Sequence, residues 1–285
     1  MPDYRVLAEG QRCEVKIHDL DAAESRTVAT SDKVLFEAPN WGRDGSLYLN
    51  GEGMLWRLRP GVETGAEPHP IAFAGLPPVN NDHVLDPAGP AVYLSAEDGH
   101  IYRGLLGGGQ VSRITGEDGV RHYLHGISPD GELLAFVRMD GSGPGRLALI
   151  PASGGRVTVV DTGPGHVDGP EWSPDGHWLY FNTERWGHAQ LARIARGEVE
   201  RVHRSGTVDW FPHLSPDGRR AVYLEYPAGT EGHPADLPVS LVVVDTARWS
   251  APLARIPLLG GQGTINVNSW APDSRSFAYV TYPKG

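Results

Sequence analysis

Ile127-Ser128-Pro129-Asp130-Gly131-Glu132-Leu133-Leu134-Ala135-Phe136 decides the fold, because it is one copy of a recurring phrase. The phrase returns as Trp172-Ser173-Pro174-Asp175-Gly176 before His177-Trp178-Leu179-Tyr180-Phe181, and as Leu214-Ser215-Pro216-Asp217-Gly218 before Ala221-Val222-Tyr223-Leu224. Looser copies stand at Trp41-Gly42-Arg43-Asp44-Gly45, Leu85-Asp86-Pro87-Ala88-Gly89 and Trp270-Ala271-Pro272-Asp273-Ser274. Aligned positions from Arg43 to Pro216 recur every 42 to 45 residues, whereas the last step, to Pro272, takes 56. A fixed period of this size marks a repeat architecture. The longer last step places an inserted loop inside the last full unit.

Each unit reads as four short strands. A short segment enters Pro-Asp-Gly, a tight turn in which Pro presets φ and Gly tolerates positive φ. An apolar strand follows, then a turn, then an alternating strand such as Gln190-Leu191-Ala192-Arg193-Ile194, then a polar strand such as Glu198 to His203. Four antiparallel strands per repeat is a propeller blade. Full units span roughly 32–73, 80–115, 122–161, 166–203 and 208–256. Two strands near the start, within 12–29, lack a turn phrase of their own, and residues 264–282 supply the phrase with nothing after it. Joining the two predicts a sixth blade that closes the ring and removes the free sheet edges. The expected fold is therefore all-β: one six-bladed β-propeller domain over residues 1–285.

Composition agrees with many short strands and tight turns, with 37 Gly and 24 Pro in 285 residues. The formal charge of −10 argues against a nucleic-acid partner, since phosphate binding needs clustered Lys and Arg. Cys13 stands alone and cannot form an internal disulfide. No apolar run has the length of a membrane span, so no membrane partner is expected. Met1 to Val6 does not read as a secretory signal, so the expected location is cytoplasmic as written, or periplasmic if a signal was removed.

The repeated Trp-Ser-Pro-Asp-Gly followed by an apolar strand resembles the TolB-type propeller repeat and covers essentially the whole chain. More distantly the chain is similar to oligogalacturonate lyase-type propellers. TolB implies a protein-interaction platform, with a protein partner at the rim. The lyase resemblance implies a histidine-rich metal site at the channel and elimination from an acidic sugar.

The innermost strand of a blade is the segment just before Pro-Asp-Gly, and alternation puts residues four and six positions before the aligned proline on one face. Around the ring these are Glu37 and Pro39, Asn81 and His83, Tyr123 and His125, Asp168 and Pro170, Trp210 and Pro212, and Asn266 and Asn268. So polar a face is expected to line a wet channel, because burying unpaired amides and carboxylates in a packed core costs several kcal/mol each. His83 and His125 occupy equivalent positions on adjacent blades, and His213 sits one residue out of phase. With Glu37, Asp82, Asp168 and Asp209 nearby they form an expected His/carboxylate site, in which His83, His125 and His213 are the candidate catalytic residues and the candidate ligands of a divalent metal (Zn, Mn or Ca). Trp210, Gln262 and His233 on the inserted loop join Asn81, Tyr123 and Asn266 as candidate ligand contacts. Two functions stay open at this point. One is binding of a small polar molecule or oligosaccharide, with or without metal-dependent lyase or hydrolase chemistry; the other is a non-catalytic platform for a protein partner.

Overall fold

A computed structural model describes residues 4–61 and 67–285. No helical turn occurs among them, and no helix is long and apolar enough to cross a membrane. Five four-stranded antiparallel sheets follow one another along the chain. Their innermost strands are Glu37–Trp41, Val79–Leu85, Arg121–Ile127, Val167–Trp172 and Val208–Leu214, which open blades 1 to 5. The expected blade periods are thus present, each with its strands in sequence order from the axis outward.

Blade 6 closes the ring in the expected way. Cys13–Asp19 lies between Glu24–Ser31 and Ser276–Thr281, antiparallel to both. Only these three strands are regular; the innermost position is filled by residues 264–270, which pair irregularly. Ala278 N donates to Ser269 O at 2.9 Å, Val280 N donates to Thr264 O at 3.1 Å, and Trp270 bridges Phe277.

The turn phrase works through its serine. In blades 3, 4 and 5 the hydroxyl of Ser128, Ser173 or Ser215 donates to the Asp two residues on, and accepts the amide five residues on. The Gly amide returns to the serine carbonyl at 2.8 Å in all three, and Gly131, Gly176 and Gly218 take φ of 76°, 70° and 70°. The serine hydroxyl and the Gly amide of the turn therefore both have partners.

Apolar residues are stored between blades and not at the axis. Phe136 and Tyr93 pack in the cluster between blades 2 and 3, Phe181 and Leu147 between blades 3 and 4, and Tyr223 and Tyr180 between blades 4 and 5. Equivalent clusters join blades 5 and 6, 6 and 1, and 1 and 2. Cys13 belongs to the cluster between blades 6 and 1, where burial pushes its thiol up to about 12. With the core placed in these seams, the axis is left to polar side chains.

One irregularity recurs and sets the geometry of the axis. Each innermost strand of blades 1 to 5 carries a bulge against its neighbour: between Glu37 and Asn40, Val79 and His83, Leu124 and Gly126, Asp168 and Glu171, and Trp210 and His213. Inside the bulges of blades 1, 4 and 5, Ala38, Gly169 and Phe211 have φ of 50°, 58° and 56°. A bulge inserts an unpaired residue and re-aims the side chains around it.

Candidate functional site

The bulged strands enclose an axial cavity of about 460 Å³. Glu37, Asn81, Asp82, Tyr123, His125, Asp168 and Asn266 of the inner segments line it. Gln262 and His233 line it from loops, and Phe211 supplies an aromatic wall.

Asp168 is the hub. His125 Nε2 lies 2.9 Å from its Oδ1, while His233 Nε2 and His166 Nε2 lie 3.3 Å and 4.0 Å from its Oδ2. Burial works against ionising Asp168, but the three imidazoles outweigh it and hold the carboxyl well below the usual range. Burial likewise pulls His125 down, yet Asp82 and Asp168 overrule it and push the imidazole up to about 9. Burial pushes Asp82 up to about 6 against the pull of His125, whose Nδ1 is 3.9 Å from Asp82 Oδ1. At neutral pH the floor of the site is thus an imidazolium flanked by carboxylates.

Glu37 forms a second centre. Its carboxyl is raised by burial despite Arg5, whose guanidinium stands 3.3 Å away. Arg5 also donates to Gln262 O at 2.8 Å and to Asp236 at 2.7 Å, and lies over the Tyr282 ring at 4.3 Å. The segment before the first strand is thereby tied across the mouth.

The inserted loop reaches the same mouth. His233 Nδ1 meets Gln262 Oε1, and its ring stands edge-on to Trp210 and Phe211 at 4.5 and 5.2 Å. Gln11 Nε2 donates to Asp236 of the same loop at 2.6 Å.

Four expected site residues lie elsewhere, and the bulge explains two of them, His83 and His213. In blade 3 His125 is the extra residue between Leu124, which pairs with Phe136, and Gly126, which pairs with Ala135. It is therefore thrown into the cavity. In blade 2 the bulge ends before His83, which pairs in register with Leu94 and turns into the wall. There it is fully buried against Asn50 Oδ1, and burial lowers it to about 3, so it stays neutral. His213 also follows its bulge, pairing with Val222. Both its ring nitrogens are engaged, Nδ1 by Glu171 and Nε2 by the Ile265 carbonyl. Trp210 precedes the bulge and packs behind Phe211 in the cluster between blades 5 and 6. Asp209 faces outward, where Ser205 and Thr207 hydroxyls donate to it at 2.6 and 2.9 Å.

The same geometry separates the three histidines expected as metal ligands. Of His83, His125 and His213 only His125 reaches the cavity, and no group of three or more His, Cys, Asp or Glu among the described residues is arranged to hold an ion. The residues present do not fit the metal site that the lyase resemblance implies.

Arg5, Phe211 and Asn50 were not among the expected site residues. Arg5 carried no repeat signal. For Phe211 a signal existed: Pro39, Pro170 and Pro212 each follow the positive-φ residue, and proline inside a strand is confined to edges and bulges.

A six-bladed propeller with a charged axial pocket is the class that fold and site define. The chain belongs to the family of TolB-like propeller proteins. It is 36% identical over 278 residues to the uncharacterized protein Atu1656 of Agrobacterium fabrum, spanning 95% of this chain and 92% of that one. A solved structure from Agrobacterium tumefaciens with a provisional TolB designation is 35% identical and superposes with a TM-score of 0.88 over 96% of this chain and 99% of that one. Oligogalacturonate lyase in complex with manganese shares the fold alone, at 15% identity and a TM-score of 0.55 over 98% of this chain and 86% of that one. No protein-family model matches the chain.

Proposed function

We propose that this protein binds a small polar ligand of the carbohydrate class in its axial pocket. One observation carries the reading: three buried carboxylates, Glu37, Asp82 and Asp168, face a cavity of about 460 Å³ together with amides and ring faces. Pockets of about 300–1,000 Å³ suit small-molecule ligands. Sugar hydroxyls donate to carboxylates and accept from Asn81 and Gln262, while the C–H face of a sugar ring packs on Tyr123 or Phe211. Holding so many charges at the axis serves no packing purpose, because each costs free energy to bury.

Thermal unfolding and calorimetry with neutral, amino and acidic mono- and disaccharides test the proposal. A ligand of the folded state raises the melting temperature. The expected result is a shift with at least one saccharide that disappears in Asn81→Ala. A flat response across the panel, or equal shifts in the variant, rejects the pocket and favours the rim as a docking surface for a protein partner.

A further inference from the structure

We propose that the ligand of the axial pocket carries a protonated amine and that Asp82 receives it. The inference deepens the reading of the pocket as a ligand site and rests on it.

The reasoning is a charge count inside the cavity. Glu37, Asp82 and Asp168 are 8%, 4% and 8% exposed, so all three carboxylates are held away from water. The cations supplied against them go chiefly to Glu37 and Asp168 and not to Asp82. Arg5 divides between Glu37 at 3.3 Å and Asp236 at 2.7 Å. His125 points Nε2 at Asp168 Oδ1 at 2.9 Å and Nδ1 at the Asn266 carbonyl at 3.2 Å, leaving 3.9 Å to Asp82 Oδ1. His166 and His233 both aim Nε2 at Asp168. Arg121, the remaining cation of the lining, pairs with Glu97 at 3.0 Å.

Asp82 is left with the neutral amide of Asn80, at 3.2 Å from Oδ2, and with Asn266. Among the described residues no cation makes a direct hydrogen bond to it. Asp82 and Asp168 thus share the His125 cation, which sits closer to Asp168; a buried carboxylate so incompletely compensated is expensive, and such a violation is expected where a ligand completes the arrangement. An ammonium group supplies the missing charge and three donors at once. An acidic ligand meets the opposite situation, since its carboxylate would face Asp82 and Glu37.

The test compares four ligands with one pyranose framework by titration calorimetry at pH 7.5: glucosamine, glucose, N-acetylglucosamine and glucuronic acid. Glucosamine should bind at least about tenfold tighter than either neutral sugar, corresponding to about 1.4 kcal/mol. Asp82→Asn should bring the three within about twofold of one another. If that variant does not fold, wild-type protein titrated at pH 5, where Asp82 takes up a proton, should show the same loss of amine preference. Equal affinity for glucose and glucosamine overturns the amine inference and leaves the pocket reading standing. Preference for glucuronic acid overturns it too, and absence of binding by all four removes both.

Discussion

His233 Nε2 lies 3.3 Å from Asp168 Oδ2, so a residue of the loop inserted into blade 5 is held by a carboxylate on the innermost strand of blade 4. Three residues further on, Asp236 takes hydrogen bonds from Arg5 and Gln11. The loop is pinned at two points over the pocket, by ion pairs and hydrogen bonds together with the packing of the His233 ring against Trp210 and Phe211.

His233→Ala should free that loop. Losing a charge-assisted hydrogen bond costs about 1.5–3 kcal/mol locally. Amide exchange over residues 227–236 should accelerate by about tenfold or more, while the strands of blade 2 stay unchanged. Unaltered exchange in the loop would show that His233 does not anchor it.

The Asp168–His125 pair gives stability a defined pH window. His125 is raised from 6.5 to about 9, so its contribution is complete below pH 6.5 and is lost as pH rises through 9. Asp168 is depressed below 3.8, so its contribution is complete above that value and is lost as pH falls through the lower folded value. The stability difference between wild type and His125→Gln should therefore be largest between about pH 4 and 6.5 and narrow toward pH 9. Urea denaturation at a series of pH values measures it, and a gap that widens above pH 7 contradicts the assignment.

Asp82 runs the other way. Its carboxyl is raised from 3.8 to about 6, so its ionisation opposes folding increasingly as pH rises from 3.8 to 6. Without ligand, Asp82→Asn should be more stable than wild type at pH 8, by about 1–2 kcal/mol once the loss to His125 is allowed for, and close to wild type at pH 4. Denaturant midpoints at the two pH values check both the sign and the trend.

Gly126 and Gly176 should respond unequally to alanine. A Cβ at Gly126 would sit 2.5 Å from the Pro170 carbonyl oxygen of the next blade, which cannot yield without moving a strand. A Cβ at Gly176 meets nothing nearer than Pro129 at 3.9 Å, leaving only the strain of φ 70°. Gly176→Ala should cost about 1–2 kcal/mol, and Gly126→Ala about 3 kcal/mol or more. Equal melting temperatures for the two variants would contradict the close approach of blades 3 and 4.

Ser274 occupies the turn position that Gly fills in blades 3 to 5, at φ 60°, and its hydroxyl accepts the Asp217 amide at 3.0 Å. Ser274→Gly relieves about 1–2 kcal/mol of backbone strain and loses a hydrogen bond of about 1 kcal/mol. The melting temperature should change by no more than about 2 °C.

The ring was legible because turn chemistry and apolar strands recur at one period, and because half a blade was missing at each end. The pocket was legible only where alternation survived. Of the six residues at one repeat position, six before the aligned proline, Glu37, Asn81, Tyr123, Asp168 and Asn266 line the cavity, while Trp210 packs into the cluster between blades 5 and 6. His83 and His125 also share a position, yet the bulge stops short of one and includes the other. A one-residue shift of a bulge reverses which face a side chain takes, and a period-2 reading has no means to sense it. His233 and Asp168 are brought together by loop closure, which depends on contacts between segments that carry no shared pattern.

The pairing of Ser276–Thr281 with Cys13–Asp19 has a consequence for assembly during synthesis. Cys13–Asp19 is made long before its partner, so the circle stays open until translation has passed residue 281. Until then Cys13–Asp19 must wait with one side unpaired. Local hairpins can form as they emerge, but the final docking joins ends separated by most of the sequence, and such long-range contacts are slow to find. The nascent protein is thus expected to need shelter from self-association longest at this seam.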